Sequence, residues 1–170
     1  MKKNQWIKGI IILVVMVLLT ACKSSNSVIS NGKKVNTSNL GHLHCTRVGS
    51  LDDGTTNLEY DLYYKGEVLN LLISKEEVTS SSSEVLDTYE NAYRGIHKYY
   101  EGLEYYDTEV VRTDESVKST ITINYEKIDI DKLLDIEGEE DNIFENKVPK
   151  VEKWKDLASQ FGTKCEEVSE

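Results

Sequence analysis

The sequence has few of the residues, and none of the motifs, on which most enzyme chemistry depends. Its 170 residues include only three histidines, three cysteines and one proline. It contains no nucleophile elbow, no phosphate-binding glycine loop, no HExxH motif and no CxxC pair. Scarce histidine limits general-base catalysis, because histidine is the side chain most often used for it. We therefore expect a protein that is not an enzyme and that requires no cofactor.

A hydrophobic run long enough to span a bilayer is also missing. The apolar stretch Ile10–Leu19 is shorter than the roughly 18 to 20 residues that a spanning helix requires. It follows a lysine-rich N-terminus, as in a secretory signal, and it ends in Leu-Thr-Ala-Cys at 19–22, the pattern of a lipobox. This predicts a lipoprotein signal peptide at residues 1–21 and lipidation of Cys22. The alternative is an ordinary cleaved signal in which Cys22 is incidental.

Lipidation would set both the location and the organisation of the mature chain. Two acyl chains on Cys22 give stable membrane attachment, whereas a single chain binds only marginally. We expect a lipid-anchored protein of the cell membrane, facing the extracytoplasmic side of a Gram-positive bacterium. Residues 22–40, rich in Ser, Asn, Lys and Gly, would form a flexible tether. Residues 41–170 would form a single domain.

The chain has too little positive charge to favour nucleic acid. Its formal net charge is −10, and removal of the signal peptide takes away lysines but no acidic residue. Such a surface repels nucleic acid and leaves cations or basic partners as the charged ligands to consider. The alternative is that the negative charge serves solubility alone.

The two cysteines that remain after lipidation predict a disulfide. Cys45 lies at the start of the domain and Cys165 at its end, and an even pair in an exported chain favours a bridge. The loop it would close is long, so the chain-entropy model assigns it on the order of 4 to 5 kcal/mol. The alternative is two separate thiols.

Two hydrophobic periods predict the elements of the domain. Alternation of apolar and polar residues predicts strands, and apolar residues three to four apart predict helices. Strands are expected at 41–48, 57–64, 68–74, 103–112 and 117–126, with a last extended segment at 163–168. Helices are expected at 82–101, after Asp129 and from Pro149, the first of them starting at a capping box of Ser81 and Glu84. This order predicts an α+β domain whose antiparallel sheet of about five to six strands is covered by two to three helices.

Four segments of the domain carry a resemblance to a known family. They are the runs 63–69 (YYKGEVL), 100–103 (YEGL), 121–129 (ITINYEKID) and 157–162 (LASQFG). In their order and spacing the chain resembles the YehR-type small bacterial lipoproteins, over nearly all of the sequence after the tether. The resemblance implies an α+β fold and a family of unknown function, with no catalytic residue to transfer. It does not imply the pair of Cys45 and Cys165.

His42 and His44 form the most specific candidate site. Residues two apart on a strand project to the same side, so the two imidazoles could chelate zinc or copper with a nearby carboxylate. Cys45 would face the other way. The alternative is two ordinary histidines on a polar strand face.

Two further features are candidates for binding. The acidic run from Asp135 to Asp141 could attract calcium, but it does not fit the EF-hand template and a solvated loop is the simpler interpretation. Three tyrosine doublets suggest outward-facing rings, such as that of Tyr63 and that of either Tyr105 or Tyr106, with Tyr106 as the candidate, that could stack on a glycan or pack against a peptide. The alternative is that these rings cap the sheet edges.

These observations favour a membrane-anchored extracytoplasmic lipoprotein that acts as a non-enzymatic binding or interaction module. Its partners would be the membrane, through the lipid on Cys22, and an extracytoplasmic protein or envelope component. The alternative function is a metal-binding lipoprotein that uses His42, His44 and nearby carboxylates. A hydrolase ranks third, because no nucleophile and base can be paired.

Overall fold

The protein is described by a computed structural model that covers residues 27–136 and 143–169. The predicted signal peptide and Cys22 therefore lie outside the described residues. The strands are β1 (Ser27–Ser30), β2 (Lys33–Asn36), β3 (Gly41–Leu51), β4 (Gly54–Lys65), β5 (Val68–Thr79), β6 (Tyr106–Arg112), β7 (Ser116–Asn124), β8 (Phe144–Glu145), β9 (Val148–Pro149) and β10 (Lys164–Glu167). The helices are α1 (Ser83–Lys98), α2 (Ile130–Leu134) and α3 (Val151–Gln160). Within the described ranges, no helix has both the length and the apolar content to cross a membrane.

Six strands form one antiparallel sheet in the order β10-β3-β4-β5-β7-β6. β3, β4 and β5 are joined by tight turns at Gly54 and Gly66, both of which have positive φ. At Gly54 a side chain would also collide with the carbonyl oxygen of Thr79, so glycine is required there. A break in register at Tyr63 and Tyr64 marks a bulge between β4 and β5.

The predicted α+β class is confirmed in its main features. The main sheet has six strands and is antiparallel throughout, and the described chain contains three helices. The helices do not form a continuous layer over the sheet: α1 contacts β5, β6 and β7, whereas α3 contacts β10. The predicted strand from residue 103 starts only at Tyr106, because Tyr105 has a φ of 66° and breaks the extended conformation.

The apolar core lies on one face of the sheet, which we call the helix face, and is divided into two clusters. The main cluster joins β3, β4, β5 and β7 to α2 and α3, and includes Leu43, Cys45, Leu62, Leu72, Ile123 and Trp154. The second cluster joins β5 and β7 to α1, through Val78, Val117, Leu86 and Tyr93. Since side chains alternate across a strand, residues such as Asp61, Thr122 and Asp107 project from the opposite face.

Part of the expected tether is folded. Residues 27–36 form a two-stranded antiparallel hairpin, β1 with β2, and the Ser30 and Thr37 side chains are buried. The Asn31 amide donates to the Asp107 carboxylate, 2.6 Å away, and β1 contacts β7. The expectation of a flexible tether as far as residue 40 is therefore wrong from Ser27 onward, because tertiary contacts supply the burial that this polar segment lacks by itself.

Two helix starts follow from side chains that accept backbone hydrogen bonds. The Asp129 carboxylate accepts from the Lys132 amide at the start of α2, as predicted. The cap of α1 is Ser82, whose hydroxyl accepts from the Val85 amide, and not the expected Ser81. The Ser81 hydroxyl instead donates to Asp53, in the turn between β3 and β4. The cap therefore lies one residue after the predicted position, and Ser81 takes part in a long-range contact.

Candidate functional site

Cys45 and Cys165 are paired as the sequence predicts. They face each other in the register of β3 and β10, and their sulfur atoms are 2.06 Å apart. β10 is a short edge strand that follows α3 directly, so the bridge holds the end of α3 close to β3. The disulfide therefore supports a region of the helix face that contains an apolar depression.

That depression, which we call the Arg47 groove, has a volume of about 330 Å³. It lies between α3 and the strands β3 and β4. Its lining residues are Arg47, Tyr60, Trp154, Leu157, Ala158, Phe161 and Thr163. The Tyr60 and Trp154 rings meet edge to face with their centroids 4.9 Å apart, which gives the groove a rigid aromatic floor.

The apolar rim of the groove is open to solvent at the C-terminal end of α3. Phe161 is 63% exposed and Leu157 is also exposed, whereas Trp154 and Ala158 are buried beneath them. α3 ends at this point because Gly162 has a φ of 79°, a conformation that stops a helix and favours glycine. The exposed apolar rim and the buried floor together form a surface that can take up an apolar group.

Arg47 supplies the positive charge of the groove. One of its guanidinium nitrogens donates to the Phe161 carbonyl oxygen over 3.1 Å. Among the described residues no carboxylate oxygen lies within 4.0 Å of this guanidinium. A guanidinium that forms no such ion pair can attract an anionic group.

Acidic and phenolic groups border the groove on the side of α1. Burial raises the pKa of the Glu76 carboxyl, and the Tyr93 hydroxyl and the Arg47 guanidinium reduce that rise. Burial, and then the charge of Glu76, raise the pKa of Tyr60. The Tyr93 hydroxyl is buried without a hydrogen bond of good geometry in the described chain, and burial followed by the Glu76 charge raises its pKa strongly. Both phenols are therefore neutral at physiological pH.

His42 and His44 converge on Asp61, on the opposite face of the sheet. His42 Nε2 and His44 Nδ1 each lie 2.9 Å from the same oxygen, Asp61 Oδ1. Lys75 Nζ is 3.8 Å from the other oxygen. Burial acts to raise the pKa of Asp61, but the hydrogen bonds and charges of His44 and His42 outweigh it and hold that pKa below its usual value. Asp61 was not among the predicted site residues, although the alternation of residues along β4 indicates that it lies on the polar face, as the two histidines do on β3.

The three side chains are close together but are not arranged as a metal centre. In the described ranges, no group of three or more His, Cys, Asp and Glu side chains has the geometry to hold a metal ion. The hydrogen bonds to Asp61 satisfy one nitrogen of each histidine, and the His42 ring stacks on Tyr63 at a centroid distance of 4.4 Å. Metal binding by His42 and His44 thus stays a prediction. Apart from Asp135, the acidic run considered for calcium lies outside the described residues.

The two tyrosines expected to face outward differ in their surroundings. Tyr63 lies on the face opposite the core, as expected, with its ring against His42. Tyr106 packs against the main cluster, and its ring stacks on Tyr100 with the centroids 4.1 Å apart. The expectation of an outward-facing Tyr106 is therefore wrong, because β6 begins directly after the break at Tyr105 with Tyr106 opposite the core residue Ile123. Both Tyr105 and Tyr106 pack against the main cluster.

A second depression, of about 370 Å³, lies between the end of α1 and β6. It is lined by Arg94, His97, Lys98, Glu101, Thr108 and Val110. Burial, and then the charge of Arg94, lower the pKa of His97, and its ring is hydrogen-bonded to Ser119 at 3.0 Å. Charged side chains of both signs line this second depression. It is therefore a weaker candidate than the Arg47 groove for an apolar ligand.

The architecture is that of a small α+β domain with an antiparallel sheet, and it is similar to a solved structure of the same kind. The NMR structure of the E. coli YehR protein superposes with a TM-score of 0.52 at 16% identity, covering 75% of this chain and 92% of that chain. An NMR structure of a protein from Streptococcus pneumoniae TIGR4 superposes with a TM-score of 0.48 at 16% identity, covering 86% and 94%. No family model and no curated protein matches the sequence.

At this level of identity, the similarity to YehR shows a shared fold and carries nothing about function. The YehR-like fold expected from the sequence is thus confirmed. The lipoprotein character implied by the same resemblance stays a prediction, since Cys22 lies outside the described residues.

Proposed function

We propose that this chain is a lipid-anchored extracytoplasmic binding protein, without enzymatic activity, whose binding site is the Arg47 groove. The anchor is the lipid on Cys22 that the lipobox at residues 19–22 predicts. The observation that carries the binding role is the groove itself, which joins an aromatic floor and an exposed apolar rim to an arginine that forms no ion pair within residues 27–136 and 143–169. Recognition pockets combine these features: mostly apolar walls and a few polar groups that fix orientation.

The chemistry of the groove favours a ligand with an apolar body and one anionic group. The apolar body would lie between Phe161 and Leu157 and the ring of Tyr60, while the anionic group would pair with Arg47. A guanidinium can form two parallel hydrogen bonds with a carboxylate or phosphate, which gives both strength and orientation. An envelope component that carries an acyl or aromatic group and an anion has this chemistry.

Anilinonaphthalene sulfonate is a suitable probe, because it has an aromatic body and a single anionic group. Trp154 forms part of the groove, and the only other tryptophan, Trp6, lies in the predicted signal peptide. Energy transfer from Trp154 to the bound probe therefore reports on the groove in the processed protein. We expect Arg47→Gln to weaken binding roughly tenfold or more, since a charge-assisted hydrogen bond contributes about 1.5 to 3 kcal/mol.

The matched control is Arg94→Gln, which removes a surface arginine that is paired with Glu90 on α1, away from the groove. This variant should bind the probe like the wild type. Phe161→Ala should weaken binding through the lost apolar contact while leaving the fold intact, because the ring is mostly exposed. Equal probe affinity in the wild type, Arg47→Gln and Phe161→Ala would refute the groove as the binding site.

A second candidate function, metal binding, is favoured by the convergence of His42 and His44 on Asp61. In it, the three side chains would rearrange to place their nitrogen and oxygen atoms around zinc or copper. A zinc titration of the wild type and of a His42→Ala/His44→Ala variant tests this. Equal zinc affinity in the two proteins would rule the site out.

A further inference from the structure

The segment next to the predicted anchor carries positive charge and no acidic residue. The first acidic residue in the whole sequence is Asp52. Between Cys22 and Asp52 the only charged side chains, apart from histidines, are those of Lys23, Lys33, Lys34 and Arg47. The segment that follows the lipidated cysteine is therefore basic, whereas the rest of the domain is strongly acidic.

The β1–β2 hairpin places two of these lysines on an exposed surface. Its register sets Ile29 opposite Lys34 on one side, and Val28 opposite Val35 on the other. Ile29 is 62% exposed and Lys34 is also exposed, whereas Val28 and Val35 are partly buried. Lys33 is exposed next to the turn. The hairpin thus has an outer side that carries Ile29 and Lys34, with the exposed Lys33 beside its turn, and an inner side that packs against the domain.

The two lysines of the hairpin have no acidic partner among the described residues. No carboxylate in the described part of the chain forms an ion pair with Lys33 or Lys34. The large apolar side chain of Ile29 lies beside them without cover. An exposed apolar residue flanked by free lysines matches the interface of an anionic bilayer, where apolar groups enter the head-group region and ammonium groups pair with phosphates.

The hairpin also lies on the side of the sheet opposite the Arg47 groove. It is held there by the hydrogen bond from the Asn31 amide to Asp107. Asp107 is paired with Thr122 in the sheet, and both project away from the helix face, which carries Tyr106 and Ile123. A surface that receives the hairpin side of the domain would leave the groove pointing outward.

The chain between the anchor and the hairpin is short. Only residues 23–26 separate Cys22 from Ser27. A fully extended chain spans at most about 3.3 to 3.6 Å per residue, so Ser27 lies within roughly 18 Å of the lipidated cysteine. The hairpin therefore cannot leave the neighbourhood of the membrane if the anchor is in place.

We propose that the outer side of the β1–β2 hairpin, with Ile29 and Lys34 and with Lys33 next to its turn, docks on the anionic phospholipid head groups of the membrane that holds the anchor. This inference rests on the proposed lipid anchor at Cys22. Docking fixes the orientation of the domain, with the Arg47 groove turned away from the bilayer. Each lysine near an anionic surface changes the binding equilibrium roughly fivefold, so Lys33→Gln/Lys34→Gln lowers docking by roughly 25-fold.

The test uses the full lipidated protein, whose mass first confirms the lipid on Cys22. A fluorescent donor is attached at Asn36→Cys, on the outer side of the hairpin, or at Asp156→Cys, on the exposed side of α3. The protein is reconstituted into phosphatidylcholine vesicles, with or without phosphatidylglycerol, that contain an acceptor-labelled lipid. We expect stronger energy transfer from position 36 when phosphatidylglycerol is present, and weak, unchanged transfer from position 156.

Charge removal and salt complete the test. Lys33→Gln/Lys34→Gln, or high salt, should return the transfer from position 36 to its value in pure phosphatidylcholine, because both weaken attraction to the head groups. Lys98→Gln/Lys155→Gln, which removes one lysine from α1 and one from α3 on the helix face, should leave it high. Transfer from position 36 that does not depend on phosphatidylglycerol or on Lys33 and Lys34 would overturn the docking inference while leaving the anchor intact. A protein mass without the lipid would overturn the anchor and the docking that rests on it.

Discussion

Removal of the bridge between Cys45 and Cys165 should destabilise the domain more than most single substitutions. The bridge joins residues 120 positions apart. For a closed loop of that length, the loss of chain entropy in the unfolded state stabilises the native state by about 5 kcal/mol. A domain of this size is stable by about 5 to 15 kcal/mol in total, so the bridge can account for a third or more of it.

The location of the bridge means that its removal should also loosen one part of the domain in particular. β10 is a short edge strand paired only with β3, and α3 precedes it. Without the bridge, we expect β10 and the end of α3 to separate from β3 before the rest of the sheet unfolds. The Arg47 groove should then lose its shape, because Trp154, Leu157 and Phe161 all belong to α3 or its C-terminal end.

Urea unfolding of the oxidised protein, the reduced protein and a Cys45→Ala/Cys165→Ala variant measures this effect. The reduced protein separates the bridge from the packing of Cys45, which is fully buried. We expect the free energy of unfolding to fall by up to about 5 kcal/mol on reduction, with weaker binding of anilinonaphthalene sulfonate. Reaction of both cysteines with a thiol reagent, in the oxidised protein unfolded in urea, would show that no bridge exists. Equal free energies of unfolding for the oxidised and reduced proteins would refute the reasoning on loop entropy.

Three further outcomes are expected from the core, the cap of α1 and the buried carboxylate. Leu62→Ala should lower the free energy of unfolding by about 2 to 5 kcal/mol, because the side chain is fully buried, whereas Val111→Ala on the edge strand should change it little in the same urea experiment. Ser82→Ala should cost about 1 kcal/mol through loss of the hydrogen bond to the Val85 amide; an equal loss in Ser81→Ala at pH 7 would contradict the assignment of the cap. The pKa of Asp61 is lower in the folded state than its usual value, so its contribution is complete above the unfolded pKa of about 4 and is lost as pH falls through the folded pKa. The stability difference between wild type and Asp61→Asn, measured by urea unfolding as a function of pH, should therefore shrink on acidification, and a difference that grows would contradict this sign.

Local patterns were enough to predict most of the elements. The alternation in β3 placed Leu43 and Cys45 on the core side and His42 and His44 on the other, as the structure has them. The start of α2 followed from Asp129, because a cap depends on residues within one turn of the helix. These predictions succeeded because the interactions that fix them lie within a few residues along the chain.

The candidate site could be predicted only in part. His42 and His44 were found, but their common partner Asp61 becomes evident only from the pairing of β3 with β4. The Arg47 groove could not be predicted from the sequence, because its walls come from β3, β4 and α3, and α3 is far from the two strands in the sequence. No local period marks residues that meet across such distances.

The sequence by itself determined the chemistry that is available: an acidic chain, a cysteine in a pattern typical of a lipobox, one further pair of cysteines and a series of amphipathic strands and helices. Only the tertiary structure decided how these parts act together. It turned residues 27–36 from a polar spacer into a hairpin packed on the sheet, it turned Tyr106 toward the core, and it brought Arg47 beside Phe161. The physical reason is that burial and long-range pairing are properties of the assembled sheet, whereas propensity and periodicity are properties of short segments of chain.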